Sequence, residues 1–286
     1  MPRKELHEDN RIAWNAATKA HNSHKADQAK FLREGGTTLF PEELELLGEI
    51  SGRSLVHLQC NAGQDSLSLA RLGATVTGVD ISDEAIAFAR QLSNDADIPA
   101  TFVRSDVYDW LAEAACRPAR YDIVFSSYGC LTWLSDLRAW ARGIAAILKP
   151  GGRFVLVEFH PFAHVFDWDW SHTFPYFADG VPRTYEHGVG DYVALSDGAL
   201  APSGYLAGVQ DFVNPHRGHE FLWGIGEVAT ALLDAGLTVT ALREYPYANA
   251  AKLFERMREL PGKRMVPPED VPSVPLMFAL AAQRQE

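Results

Sequence analysis

The residues able to do chemistry stand where short apolar runs stop. Leu58-Gln59-Cys60-Asn61-Ala62-Gly63-Gln64-Asp65 follows one such run, Asp80 closes a second, Ser105-Asp106 follows a third, and Ser126-Ser127-Tyr128-Gly129 follows a fourth. In an open α/β sheet, ligands bind beyond the carboxyl ends of the strands, so these four positions converge on one edge. His160 follows a fifth run and belongs to the same edge. A neutral imidazole with an ordinary pKa near ~6.5 accepts protons at neutral pH, which makes His160 a candidate general base or orienting group. Its competing reading is a polar residue that turns the chain before Pro161. The spacings His160-x-x-x-His164 and His216-x-x-His219, near Asp167 and Asp169, raise the question of a metal. Neither segment carries a helical pattern and no third ligand is placed, so no metal is expected. No nucleophile constellation for a covalent intermediate is found.

The elements that position these residues follow from periodicity. Ser54–Leu58, Thr75–Val79, Thr101–Arg104, Ile123–Ser126 and Arg153–Phe159 read as strands, with helical patterns over 64–72, from Ser82 to about Leu92, and over 136–148. Ser82-Asp83-Glu84 supplies an N-cap and first-turn acids, and Pro150-Gly151-Gly152 ends the last of these helices. Glu227–Ala235 is again helical, and Thr238–Glu244 and Pro275–Ala282 are strands joined by a Pro-rich, charged connection. Residues 1–50 read as two helices broken at Gly35-Gly36. Residues 160–219 hold many aromatic side chains with neither period dominant. Such a stretch is too long for a loop and too apolar for disorder, so it reads as an insertion that packs on something.

The strand-end residues together resemble the class I S-adenosylmethionine-dependent methyltransferases. The family's first loop runs acid-x-Gly-x-Gly-x-Gly. Gly63 matches the last glycine, while Gln59 and Asn61 stand at the other two and His57 at the acid. Asp80 matches the ribose-binding acid, Asp106 the acid that meets the adenine amino group, and Lys149-Pro150-Gly151-Gly152-Arg153 the turn into strand five. The resemblance covers roughly residues 50–160. It implies S-adenosylmethionine as cofactor, held by Gln59, Asn61, Gly63, Asp80, Ile81, Asp106, Val107 and Ser126. It also implies a substrate site at Trp14, Tyr128 and His160, with methyl transfer by in-line displacement. The missing glycines damage a dinucleotide reading more, because S-adenosylmethionine has no pyrophosphate to approach, and Asn61 tolerates a left-handed backbone.

The expected fold is therefore a doubly wound, Rossmann-like α/β sheet of seven strands, the last antiparallel. Residues 1–50 would form an N-terminal helical lid, 51–159 the cofactor-binding core, 160–219 an acceptor cap, and 220–286 the rest of the core. Tyr and Trp faces in the cap suit a flat or cationic small molecule, such as an aromatic or heterocyclic metabolite. With 26 Lys and Arg against 37 Asp and Glu, the net charge of −11 disfavours nucleic acid and anionic membranes. No window approaches a membrane span, and the start Met1-Pro2-Arg3-Lys4-Glu5 has no apolar stretch behind it. Cys60, Cys116 and Cys130 lack paired spacing, and reduced thiols fit a cytoplasmic location. Two rivals remain: a nicotinamide or flavin oxidoreductase, which shares Asp80, and a non-catalytic binder of the same fold.

Overall fold

The structure, a computed structural model, describes residues 1–178 and 180–286. Seven strands form the central sheet: β1 (Ser54–Leu58), β2 (Thr75–Asp80), β3 (Thr101–Arg104), β4 (Tyr121–Ser127), β5 (Leu148–Phe159), β6 (Leu237–Tyr245) and β7 (Met277–Arg284). Their spatial order is β3-β2-β1-β4-β5-β7-β6. The first five run parallel, and β7 lies antiparallel between β5 and β6. This is the doubly wound sheet that the sequence pattern implies. The order reverses at β1 and β4, and a ligand crevice opens at such a reversal.

Nine helices accompany the sheet among the described residues: α1 (Lys4–Ser23), α2 (Gln28–Arg33), α3 (Pro41–Leu47), α4 (Gln64–Arg71), α5 (Asp83–Ala96), α6 (Val107–Cys116), α7 (Leu137–Ile147), α8 (Tyr192–Leu195) and α9 (Ile225–Asp234). On one face α6, α7 and α9 bury Trp110, Leu111, Trp140, Ile144 and Leu232 against the sheet. α7 shows why such a helix forms. Leu137, Trp140, Ala141, Ile144 and Ile147 recur at helical spacing and are all buried, and Asp136 caps the start by accepting from Ala139 N at 2.9 Å. Burying a side chain of that size contributes roughly 1.5–3 kcal/mol, and Trp140 meets Phe154 edge-on at 5.2 Å. The opposite face is covered by α3, α4 and α5, with α1 and α2 packed on α5. Because both faces are covered, β1 is buried along nearly its whole length.

Three local differences from the sequence pattern have physical causes. The N-terminal segment holds three helices, not two, because α3 starts at Pro41 beyond the Gly35-Gly36 break. β5 begins at Leu148, not Arg153: Leu148 already pairs with Tyr121, and Lys149 to Gly152 bulge out of register before Arg153 pairs with Ile123. The helix α6, absent from the pattern reading, buries Val107, Trp110, Leu111 and Ala114, which share one helical face.

The insertion from 160 to 219, of which Asp179 lies outside the described residues, forms short elements only: two brief strands over 183–185 and 218–220, and α8. The connection between β6 and β7 departs from the expected loop. It carries a three-stranded antiparallel sheet over 258–260, 264–266 and 248–249. Phe254, Met257 and Met265 from this sheet region share a small core with Ala163, Trp170 and Ala199 of the insertion. The two segments thus build one structure over the strand ends.

Candidate active site

A cavity of about 890 Å³ opens beyond the carboxyl ends of the strands. It is lined by residues of the first loop, α1, the insertion and the small C-terminal sheet. Its size lies near the upper end of the ~300–1,000 Å³ typical of a ligand pocket, which leaves room for two small molecules together.

The first loop turns sharply. Gln59, Asn61 and Gly63 adopt left-handed backbones with φ of 56°, 48° and 81°. A Cβ on Gly63 would lie 2.7 Å from Ala89 Cβ and 2.9 Å from the Phe102 ring, so only glycine lets α4 start this close to α5 and β3. Asn61 supports its own turn, its Oδ1 accepting from Ala62 N at 2.7 Å. The amide of Gln59 donates to the Cys130 carbonyl at 2.7 Å, while its Oε1 is buried with no partner. An unpaired buried acceptor is costly unless a ligand donor reaches it. The amino group of an amino-acid moiety is such a donor, so the loop fits the cofactor that the sequence implies.

Asp80 lies at the end of β2 beside this loop. Its Oδ2 accepts from Asn61 N at 2.9 Å and its Oδ1 from Ser82 N at 2.8 Å, so each oxygen retains capacity for a ligand hydroxyl. Burial raises its pKa above the ordinary carboxylate value, and the backbone N–H bonds offset part of that rise. Asp106 caps α6, accepting from Tyr108 N at 2.8 Å, and its Oδ2 lies 2.7 Å from His7 Nδ1. Burial opposes its ionisation, but the His7 and Tyr108 bonds outweigh that and hold its pKa below the usual value. His7 stacks on Tyr108 at 5.4 Å.

His57, where the family acid stands, is buried within 2.9 Å of Ser66 Oγ and 3.4 Å of Ser127 Oγ. Burial lowers its pKa to about 3, so it is a neutral polar wall. The turn after β4 is held by the buried Glu158, which accepts from the backbone N–H groups of Gly129, Leu131 and Phe159. This turn presents Tyr128, whose φ of 36° is unusual for a bulky residue and whose hydroxyl accepts from Asn249 Nδ2 at 3.0 Å.

Of the residues singled out from sequence, Gln59, Asn61, Asp80, Ile81, Asp106, Val107, Trp14 and Tyr128 all line this cavity. Gly63 and Ser126 do not. Gly63 shapes the loop from behind, and Ser126 is fully buried inside β4 with its hydroxyl unpartnered. The placement of His160 is corrected. Its Nδ1 accepts from Phe162 N at 3.0 Å and its Nε2 faces Glu244 Oε1 at 2.8 Å. Glu244 lies on β6, two strands away, so the ring turns across β7 against Phe278 and stays outside the cavity wall. These contacts are those of a polar residue that turns the chain before Pro161. Among the described residues no cluster of three or more His, Cys, Asp or Glu side chains is arranged to hold a metal.

Several wall residues escaped the sequence reading. His7, Asn10 and His21 line one face of α1 beside the expected Trp14. Trp14 meets Trp133 edge-on at 5.5 Å, and Tyr192 lies 4.1 Å from the His21 ring. Asn61 Nδ2 approaches the Tyr192 hydroxyl at 3.4 Å, which links the first loop to the insertion. Lys25, Lys252 and Lys263 add positive charge to the wall. The signal for α1 was present in the sequence: polar and aromatic residues at positions 7, 10, 14 and 21 share the helical stripe of the buried Ala13, Ala17 and Ala20.

Residues 56–152 match the model of the family described as a methyltransferase domain. A ubiquinone biosynthesis O-methyltransferase of Proteus mirabilis (strain HI4320) is 36% identical over 101 residues, 35% of this chain and 40% of its own length. Its counterpart from Xanthomonas euvesicatoria pv. vesicatoria (strain 85-10) is 29% identical over 157 residues, 50% of this chain and 64% of its own. The chain thus spans less than two thirds of the length of either relative. An S-adenosylmethionine-dependent methyltransferase from Mesorhizobium loti has a similar fold, with a TM-score of 0.56 at 20% identity, covering 88% of this chain and 100% of that one.

Proposed function

We propose, from the match of residues 56–152 to a methyltransferase domain and from the fold shared with an S-adenosylmethionine-dependent methyltransferase, that the protein transfers a methyl group from S-adenosylmethionine to a small aromatic or heterocyclic acceptor. One observation carries this reading: Gln59, Asn61, Asp80 and Asp106, expected at the cofactor, and the aromatic residues Trp14 and Tyr192 of α1 and the insertion line the same cavity. Donor and acceptor can then meet without crossing solvent.

The bound cofactor supplies a methyl group already activated by a sulfonium. The chain's task is to align the acceptor and exclude water. Asp80 accepts the ribose hydroxyls, Gln59 Oε1 receives the amino group, and Asp106 stands at the adenine end. Residues 1–50 act as a lid. The acceptor wall comprises residues 160–219 together with the excursion between β6 and β7, and Trp14, Trp133 and Tyr192 offer flat faces to an aromatic ring. No feature of the site favours a nicotinamide cofactor.

The test is thermal stability with the demethylated cofactor product. At ~100 times its dissociation constant it adds about 2.7 kcal/mol and raises the melting temperature. Asp80→Ala abolishes most of that rise. A rise with a nicotinamide dinucleotide and none with the methyl donor's product contradicts the assignment.

A further inference from the structure

The sequence directs attention to His160 as a base, but its ring lies outside the cavity wall, and the wall holds other histidines. His21 sits in the last turn of α1, is buried and lines the cavity. Its Nε2 donates to the Gly190 carbonyl at 2.8 Å, which fixes the proton on that nitrogen. Its Nδ1 is then an acceptor, and it is buried with no partner. The ring is held in place by Tyr192 at 4.1 Å and Trp14 at 6.0 Å, and Tyr192 in turn contacts Asn61 of the first loop. An orphan acceptor on an oriented ring, next to the loop that holds the methyl donor, calls for a ligand donor.

Lys25, in the turn after α1, also lines the cavity and makes no ion pair among the described residues. Its charge acts on His21. His164 lines the wall too, but neither of its nitrogens is oriented by a protein partner.

Given the methyl-transfer reading above, on which this rests, we propose that His21 and Lys25 form a hydroxyl-binding site: Nδ1 of His21 accepts the hydrogen bond, then the proton, of an acceptor O–H, and the Lys25 ammonium stabilises the oxygen's developing negative charge. The acceptor class is a phenol or enol, not an amine. As the acceptor oxygen forms its bond to the methyl carbon, the carbon–sulfur bond breaks and sulfur keeps that electron pair. The O–H proton ends on His21 and leaves to solvent, so the products are a methyl ether and a neutral thioether.

The electrostatics are consistent with this. Burial, the Gly190 bond and the charges of Lys25, Asp191 and His24 together leave His21 with a pKa lowered to about 4, so the imidazole is unprotonated at neutral pH. Burial lowers Lys25 to about 8, with Asp65 and Asp191 opposing that shift. Turnover should therefore rise through the titration of His21 at acid pH and fall as Lys25 loses its proton.

His21→Gln separates chemistry from structure, since the Gln amide keeps a donor for Gly190 and removes the basic nitrogen. Lys25→Met is the second variant, retaining the chain length without the charge. Calorimetry with S-adenosylhomocysteine comes first: if the wild type does not bind it, the methyl-transfer reading itself fails. If it binds, the loaded wild type and both variants are titrated with phenol, catechol and aniline, and each is assayed with labelled donor. The expected result is binding of a phenolic probe and methyl ether formation by the wild type. His21→Gln should then lower kcat by ~10²–10⁴-fold with cofactor affinity unchanged, and Lys25→Met should remove the alkaline limb. Unchanged turnover in His21→Gln, transfer to nitrogen alone, or no binding of any phenolic probe overturns the proposal.

Discussion

At the residue scale, burial sets the charge state of several side chains of the cavity wall, His57 and His21 among them. Asp80 and Asp106 are legible from sequence because a strand end fixes where a residue goes, whatever its side chain does next. His160 shows where that logic stops. Its backbone reaches the expected edge, but the direction of its ring was decided by Glu244, 84 residues later. His21 was illegible for the opposite reason: it lies on a helix, and only the docking of α1 brings it to the cavity. His57 offers a test of the electrostatics. Its pKa of about 3 lies below the ~6.5 of an unfolded histidine, so below pH ~6.5 the unfolded chain binds a proton that the fold refuses. Stability from keeping His57 neutral is present above that pH and is lost as pH falls towards 3. The slope is about 1.4 kcal/mol per pH unit for one proton. The raised carboxyl pKa values of Asp65, Asp80 and Glu158 act in the opposite sense, so the effect is read as a difference between proteins. Urea unfolding between pH 6 and 4 should show His57→Gln losing stability less steeply than the wild type, by up to that slope. Parallel curves would place the burial of a neutral imidazole in doubt.

At the element scale, α1 forms one wall of the cavity. It is tied to the insertion by Asn10, whose Nδ2 donates to the His219 carbonyl at 2.9 Å and whose Oδ1 accepts from His219 N at 2.7 Å. It is tied to α5 by Asn15 Oδ1, which accepts from Ser82 Oγ at 2.7 Å. Asn10→Ala leaves both buried backbone groups of His219 unpaired, at a cost of ~1–3 kcal/mol each. The expected outcome is faster hydrogen exchange in α1 and the 218–220 strand, with the central sheet unchanged, and weaker cofactor binding. Exchange that rises equally across β1 and β4 would mean that α1 is part of the cooperative core and no separate lid. The periodic elements were readable from sequence because each repeats a simple pattern. The cap was not, since its stability comes from contacts between the insertion and the stretch after β6, two aperiodic segments with no local signal of partnership.

At the scale of the whole molecule, a doubly wound sheet carries its variable segments on one edge, and those segments close one cavity over the strand ends. The fold class and the wall formed by the strand ends were legible because strand ends obey a general rule. The rest of the wall was not, because it is built by the tertiary meeting of α1, the insertion and the small C-terminal sheet. No helix among the described residues is long and apolar enough to cross a membrane. In the proposed function, donor and acceptor share this cavity and a methyl group passes between them. The most direct measurement incubates the protein with S-adenosylmethionine labelled in its methyl group and a small-molecule metabolite extract, then follows the label by chromatography and mass spectrometry. The predicted result is label in one or a few low-mass aromatic products, formed by the wild type and not by Asp80→Ala. Tight binding of the donor with no label leaving it for any metabolite, under conditions where the extract contains phenols and heterocycles, would contradict the claim.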